Sequence, residues 1–264
     1  MKHIIIGAGV IGQATGYWLY ANGHDVCFND VNKETLQKMR DKGFHTCHDK
    51  KDITKEFPDI IWICTAEWDV EHVLHDIYDA EGDCIIVIRS TMKPGELEKV
   101  QKKYGLAHLA HVPEFLRQKT AINDTFNNSR IVVGTTDDVS WSVLQKVFAP
   151  AHIPIIHTNM IESSLIKYAA NNWLALQVSF WNEIKCLADS FDNINPQLIA
   201  EVTAMDPRIS KYGSALIKEP YAGFCFPKDS NALQEIFKEQ EVPENLITAL
   251  RETNKYIEIH RMEK

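Results

Sequence analysis

The sequence has no Cys-x-x-Cys pair, no run of Lys and Arg, no stretch of about 18 apolar residues, and no internal repeat or low-complexity segment. Each absence excludes something. The six cysteines, at 27, 47, 64, 84, 186 and 225, are scattered, which suits free thiols in a reducing compartment better than a disulfide or zinc framework. A net charge of −8 without a basic run offers no surface to nucleic acid or to an anionic membrane, although local groups could still hold a small anion. The opening MKHIIIGAGVIG is too short and too glycine-rich for a secretion signal, so a cytoplasmic protein is expected. His45/His48 and His108/His111 have metal-like spacings but no thiolate or carboxylate set around them. They read as polar surface side chains, and no metal is expected.

What is present is an alternation. At 264 residues the chain is long enough for two domains. HIIIGA (3–8), DVCFND (25–30), DIIWICTA (59–66), CIIVIRST (84–91), AHLAHV (107–112) and RIVVGTT (130–136) are strand-like. Helical segments are expected over 12–24, 33–42, 69–79 and 138–148. This pattern argues for an α/β fold with a Rossmann-type, doubly wound parallel sheet over 1–158. Residues 159–264 read as a small all-helical domain entered through a long central helix. From Glu162 to Asp189 there is no Gly or Pro, and one helix of that length spans roughly 40 Å. Trp173, Leu174, Leu176, Phe180 and Trp181 make it apolar on several sides, which places it between domains or subunits. Asn195-Pro196 reads as the cap and first residue of a further helix interrupted at Asp206-Pro207, and a last helix is expected near 243–260.

Gly7-Ala8-Gly9-Val10-Ile11-Gly12 is G-x-G-x-x-G, following a strand and opening a helix. The glycines allow a tight turn, a close approach to a pyrophosphate and helix–strand packing, with the pyrophosphate facing the helix N-terminus. Asp30, ending the second strand, would accept from a ribose 2′-OH and repel a 2′-phosphate. NAD is therefore the expected cofactor, with Lys33 close enough to blunt the discrimination. The alternative is a glycine turn without a ligand. Lys167 and Asn171 are four apart on one helix face, and read equally as a functional pair or as a surface lysine and a side amide. Cys225, in AGFCFPKDSNAL, would lie just outside a helix starting near Pro227. There the helix end and Lys228 would lower its pKa; the other reading is a small structural residue in a turn.

Four segments in order resemble the UDP-glucose/GDP-mannose dehydrogenases, which oxidise a nucleotide sugar alcohol to the acid. They are IIIGAGVIGQATG, HVPEFLRQKTAINDTFNNSRIVVGT, ESSLIKYAANNWLALQVSFWNE and AGFCFPKD. The resemblance implies Cys225 as nucleophile, Lys167 and Asn171 as its partners, and Asp229 near a catalytic water. It further implies Glu114 in thioester hydrolysis, Thr91, of the family's Ser-Thr pair, in the catalytic set, and Arg208 reaching the partner subunit's sugar nucleotide. Cofactor contacts are assigned to Gly7, Gly9, Val10, Ile11, Gly12, Asp30, Lys33, Thr65 and Thr91. Substrate contacts are assigned to Glu114, Phe115, Leu116, Arg117, Lys167, Asn171, Arg208 and Cys225. A homodimer through the 162–189 helix is implied.

The departures from the family pattern are Gln118-Lys119 in place of Glu-Gly, Ala222 for the first glycine of the active-site turn, and Ser210 for a glycine. The family's C-terminal UDP-binding domain has no counterpart in these residues. Two other readings stand beside this one: a β-hydroxyacid-type dehydrogenase performing one oxidation without the thiol, and a non-catalytic NAD-binding or subunit-interaction protein.

Overall fold

A computed structural model describes residues 1–49, 53, 56–77, 84–214 and 219–261. They fall into two compact units, Met1–Lys167 and Tyr168–Lys264. The first contains β1 (Lys2–Ile6), α1 (Val10–Ala21), β2 (Asp25–Asn29), α2 (Lys33–Asp41), β3 (His45–Cys47), β4 (Ile60–Ile63), α3 (Glu67–Ile77), β5 (Ile85–Ile88), α4 (Glu96–Tyr104), β6 (Leu109–His111), α5 (Ala121–Phe126), β7 (Ile131–Gly134), α6 (Asp138–Phe148) and β8 (Ile155–Thr158). Residues 78 and 79 of the helix expected over 69–79 lie outside the described residues.

The strands form one eight-stranded sheet in the order β3-β2-β1-β4-β5-β6-β7-β8. Ile-rich β4 and β5 are buried on both faces, as strands sandwiched between helix layers must be. Alternate residues feed two cores: Ile5, Phe28, Trp62 and Val87 on one face, Ile4, Ile6, Ile61 and Ile88 on the other. Side-chain caps start the helices where the sequence offers them. Asn32 accepts from the Glu34 and Thr35 N–H groups, and Asp137 from those of Val139 and Ser140.

The sheet is mostly parallel, as expected, with one antiparallel junction. β6 and β7 are antiparallel, meeting at His111 and Gly134, while β7 and β8 are parallel to each other. The six-residue α5 in the intervening connection packs against α1. It does not form the long helical crossover that parallel neighbours require. Strand β1 is flanked by β2 and β4, so the chain winds away from it in both directions and leaves a crevice at the carboxyl ends of β1 and β4.

Helix α7 runs Met160–Ala188, 29 residues, close to the expected 162–189. Its part from Tyr168 onward belongs to the second unit with α8 (Pro196–Thr203), α9 (Cys225–Glu239) and α10 (Asn245–Arg261). Asn195 caps α8 through the Gln197 and Leu198 N–H groups with Pro196 in the first turn, and the helix stops before Asp206-Pro207. Ala175, Val178, Tyr221 and Leu250 form one small core of this unit, Tyr168, Leu233 and Ile236 another. Gly213 (φ +82°) lies so close to the Gln177–Val178 backbone that a Cβ would come within 2.9 Å of it.

Candidate functional site

The fingerprint turn is held by contacts a larger residue could not make. Gly7 has φ +90°, and a Cβ there would lie 2.9 Å from the Cys64 carbonyl group. At Gly12 a Cβ would come within 1.9 Å of the Gly7 oxygen, whereas at Gly9 it would meet nothing within 4 Å. Gly12 thus serves packing, and Gly9 leaves open space in front of α1. That helix has no side-chain cap, so its first N–H groups point outward. Val10 is exposed and Ile11 half-buried at this end. Asp30 accepts from the Ala8 N–H (2.7 Å) and from the Asn32 N–H (2.8 Å), which ties the end of β2 to the turn.

Beside them is a cavity of about 290 Å³ lined by Gly7, Asp30, Thr65, Asp69, His72 and Asp76 among others. Thr65 Oγ1 is buried there, and among the described residues nothing hydrogen-bonds to it. Open backbone at Gly9, outward helix N–H groups and a carboxylate at the end of β2 together fit a dinucleotide. Lys33 is exposed at the start of α2. Thr91 is half-buried just after β5, where the neighbouring Ser90 hydroxyl donates to the Thr65 carbonyl (2.6 Å). Asp69, His72 and Asp76 escaped the sequence reading. They lie on one face of α3, four or fewer residues apart, a pattern shared with ordinary solvated helix faces.

A second cluster lies farther along the same sheet edge. Lys167 is 2 % exposed, and its Nζ donates to the Glu114 carbonyl oxygen (2.6 Å) and to Glu114 Oε1 (2.8 Å). The other carboxylate oxygen accepts from the Leu116 N–H (2.6 Å). Burial pushes the Glu114 carboxyl up, but the Lys167 ammonium, the Leu116 N–H and Arg89 outweigh it and hold it below the ordinary carboxylate range. The Phe115 ring takes Arg130 at 4.2 Å and Lys167 at 5.6 Å. Arg117 is bidentate to Asp124, on the surface.

The histidine reading needs one correction. His45 and His48 are exposed, but His111 is fully buried, with Nδ1 2.7 Å from Ser163 Oγ and Nε2 3.1 Å from the Ser90 carbonyl. A carbonyl only accepts, so Nε2 carries the hydrogen. Burial lowers the His111 pKa to about 3. His108 instead pairs with Asp137, the cap of α6. The alternation in AHLAHV points His111 inward, and Gly134 opposite it admits Ser163: a Cβ at Gly134 would lie 2.1 Å from Ser163 Oγ.

In the second unit Asp229 is 1 % exposed. Its Oδ2 accepts from Asn171 Nδ2 (2.6 Å) and its Oδ1 from Lys228 Nζ (2.7 Å). Lys228, expected beside the thiol, is therefore engaged with Asp229. Helix α9 begins at Cys225 rather than near Pro227, so the thiol is on its first residue. Proline is tolerated in a first turn because its missing N–H is not needed there, so the helix passes through it. Cys225 is exposed, on a helix end without a side-chain cap, and Asp229 lies one turn on. Gly223 has φ +84°, while Ala222 and Ser210 do not have positive φ, so neither departure from the family pattern strains the backbone. Arg208 is exposed and clamps Asp206 through Nε and Nη2. Within each unit expected residues gather: Gly7, Asp30 and Thr65 at the cavity, Glu114 with Lys167, and Asn171 with Asp229.

Residues 65–152 match the NAD binding domain of the UDP-glucose/GDP-mannose dehydrogenase family, and residues 162–256 match its central domain. Residues 2–94 also match the NADP oxidoreductase, coenzyme F420-dependent, family. NAD, expected from Asp30, agrees with the first of these. The chain is 32 % identical to UDP-glucose 6-dehydrogenase YwqF of Bacillus subtilis, with 89 % of this chain and 62 % of that protein covered. It is 30 % identical to a UDP-glucose 6-dehydrogenase of Streptococcus pneumoniae, over 97 % of this chain and 73 % of that one. It thus spans less than two thirds of the first relative and under three quarters of the second. A UDP-glucose dehydrogenase structure from Pyrobaculum islandicum superimposes with a TM-score of 0.85 at 23 % identity, covering 97 % of this chain and 68 % of that one. Its fold is the one described above. With both of its units matched in order and relatives of this identity covering nearly all of it, the chain belongs to the UDP-glucose/GDP-mannose dehydrogenase family.

Proposed function

We propose that the protein oxidises the primary alcohol of a nucleotide sugar to the acid in two hydride transfers, with Cys225 as a covalent nucleophile. The overall balance is alcohol, two NAD+ and water going to carboxylate, two NADH and three protons. NAD, when bound, supplies the hydride acceptor. Gly9 and the first N–H groups of α1 cradle its pyrophosphate, and Asp30 accepts from its ribose.

The first oxidation gives an aldehyde. The thiolate of Cys225 adds to its carbon, giving a thiohemiacetal whose second oxidation yields a thioester. Water then breaks the C–S bond, releasing the carboxylate and regenerating the thiol. The observation that carries this reading is the placement of Cys225. Its thiol stands on the uncapped first residue of a 15-residue helix, where the aligned peptide dipoles favour a thiolate, one turn before a buried carboxylate.

Lys167 and Asn171 are assigned the oxyanion that forms as the hydroxyl gives up its proton and collapses to C=O as each hydride leaves. Glu114 has one oxygen on Lys167 and the other on the Leu116 N–H, and its carboxyl is held in the ionised form. Its first duty is therefore to orient the ammonium. Asp229, with Glu114, is assigned the hydrolytic water. We further propose a homodimer in which Arg208 serves the neighbouring subunit's substrate. Trp173, Phe180 and Leu187, seven residues apart on α7, are 60, 50 and 59 % exposed, an apolar stripe that a second subunit would cover.

The test is stoichiometry. With UDP-glucose limiting, wild type is expected to form two NADH per sugar and Cys225→Ser to form no acid. A plateau at one NADH, unchanged in Cys225→Ser, would replace this reading by a single oxidation without the thiol.

A further inference from the structure

Arg89 directly follows β5, at the same sheet edge as the fingerprint turn after β1 and Thr65 after β4. It is 8 % exposed, and among the described residues nothing accepts a hydrogen bond from its Nε. Buried guanidinium groups are ordinarily paired, because N–H donors stripped of water need acceptors in exchange. Arg89 is close enough to Cys64, His111 and Glu114 to shift their titration.

Two walls of its surroundings are thereby known. The Cys64 carbonyl group packs on Gly7, and Glu114 is the partner of Lys167. Arg89 thus stands between the fingerprint turn and the Glu114–Lys167 pair. In this group the two cations, Arg89 and Lys167, face a single carboxylate, since the buried His111 is neutral. Among the described residues, one positive charge and at least one N–H donor are left without a protein partner.

We infer that Arg89 is a cofactor-binding residue that donates to an oxygen acceptor on the nicotinamide half of the dinucleotide. This rests on the NAD reading above. The pyrophosphate is taken by the first turn of α1, beside β1. Strand β5 lies two strands away, about 9–10 Å at the usual spacing, so the part of the dinucleotide that reaches it is the nicotinamide end. The acceptors there are the carboxamide oxygen, the ribose hydroxyl oxygens and the oxygens of the adjoining phosphate. A cation in this place also discriminates between redox states. The oxidised ring is positively charged and the reduced ring neutral, so Arg89 favours the reduced cofactor and assists hydride acceptance.

Fluorescence titration with NADH, competition with NAD+, and melting of the protein without cofactor test the inference in wild type, Arg89→Met and Arg89→Lys. Arg89→Met is expected to lose about tenfold or more in NADH affinity. Without cofactor it should melt no lower than wild type, because among the described residues no hydrogen-bond partner of its Nε is stranded. A loss larger for NADH than for NAD+ assigns the carboxamide oxygen, and equal losses assign the ribose or phosphate oxygens. Arg89→Lys keeps the charge beside Glu114 and is expected to fold as wild type does yet recover only part of the affinity, since an ammonium lacks the planar fork. Wild-type NADH affinity in either folded variant overturns the inference. So does an Arg89→Met protein that melts several degrees low while Arg89→Lys binds normally, which makes Arg89 a structural cation. A wild-type protein that binds neither dinucleotide overturns the cofactor reading itself, and the inference with it.

Discussion

Replacing Glu114 by Gln would strand the Lys167 ammonium. At the observed 2.8 Å, two unit charges in an effective dielectric of about 20 attract by about 6 kcal/mol, against a desolvation penalty of several kcal/mol for each ion. The pair is therefore worth little net, but breaking it leaves an uncompensated charge on a residue only 2 % exposed. Such losses run to about 3–5 kcal/mol. Gln keeps an oxygen where Oε1 was, and the Glu114 carbonyl still accepts, so the lower end, about 3 kcal/mol, is expected. That is about 6–12 °C in Tm for a chain of this size. The carboxyl is depressed in the folded state. Its contribution is therefore complete above the unfolded value near 4.5 and disappears as pH falls through the folded value, so the gap between wild type and variant should close in acid. Urea unfolding followed by circular dichroism measures the gap. Lys167→Met alone should be comparably destabilised, and the double variant Glu114→Gln, Lys167→Met should lose less than the two singles added. A Glu114→Gln protein within about 1 kcal/mol of wild type at pH 7 would refute the reasoning.

Acid should weaken the fold through two buried neutral histidines. His3 accepts from Trp62 Nε1 (2.9 Å) and contacts His24 (2.8 Å), and burial, with His24 and the N-terminus, lowers it to about 3, as burial does His111. Their folded pKa values lie below the unfolded one, so this stability is complete above pH 6.5. It is lost at up to about 1.4 kcal/mol per pH unit for each residue between there and pH 3. Urea midpoints that stay level from pH 7 to pH 5 would contradict it. Gly9→Ala should keep the wild-type Tm yet lose NADH affinity, whereas Gly12→Ala, whose Cβ would sit 1.9 Å from the Gly7 oxygen, should lose both; equal behaviour of the two would count against the cradle. Trp173→Asp with Phe180→Asp should turn a dimer into a monomer by light scattering, and a wild-type monomer at micromolar concentration would remove the basis for the dimer.

The alternation of apolar strands and helices was readable because β4, β5, β6 and β7 are buried along their whole length and β1 and β2 at all but their first residue, and because Asn195 supplies a side-chain cap of the right type before Pro196. The antiparallel β6–β7 junction was not, since strand direction depends on where α5 packs and a six-residue helix leaves no mark of its own. Short β3 and β8 escaped for a related reason: the first has three residues, and the second, at the sheet edge, is partly exposed and mixes Ile with His and Thr. Of the candidate site residues, Gly7, Gly12 and Asp30 stood out by motif spacing, Lys167 and Asn171 by spacing that left two readings open, and Glu114 and Asp229 only through the family resemblance. The pairing of Glu114 with Lys167, 53 residues apart, exists only in the fold. His111 and Arg89 were misread or passed over because a histidine beside another suggests a surface, and a charge after CIIVI suggests the end of a strand, when both side chains turn inward.

The central claim is a covalent bond between substrate carbon and the Cys225 sulfur. Acid-quenched single turnover of Asp229→Asn with UDP-glucose and excess NAD+, followed by intact-mass and peptide mass measurement, tests it most directly. The account predicts added mass of the sugar nucleotide, at the oxidation level of a thioester, on the peptide containing Cys225, and none in Cys225→Ser. Two NADH released with no mass on that peptide at any quench time, or the same mass on another cysteine, would contradict it.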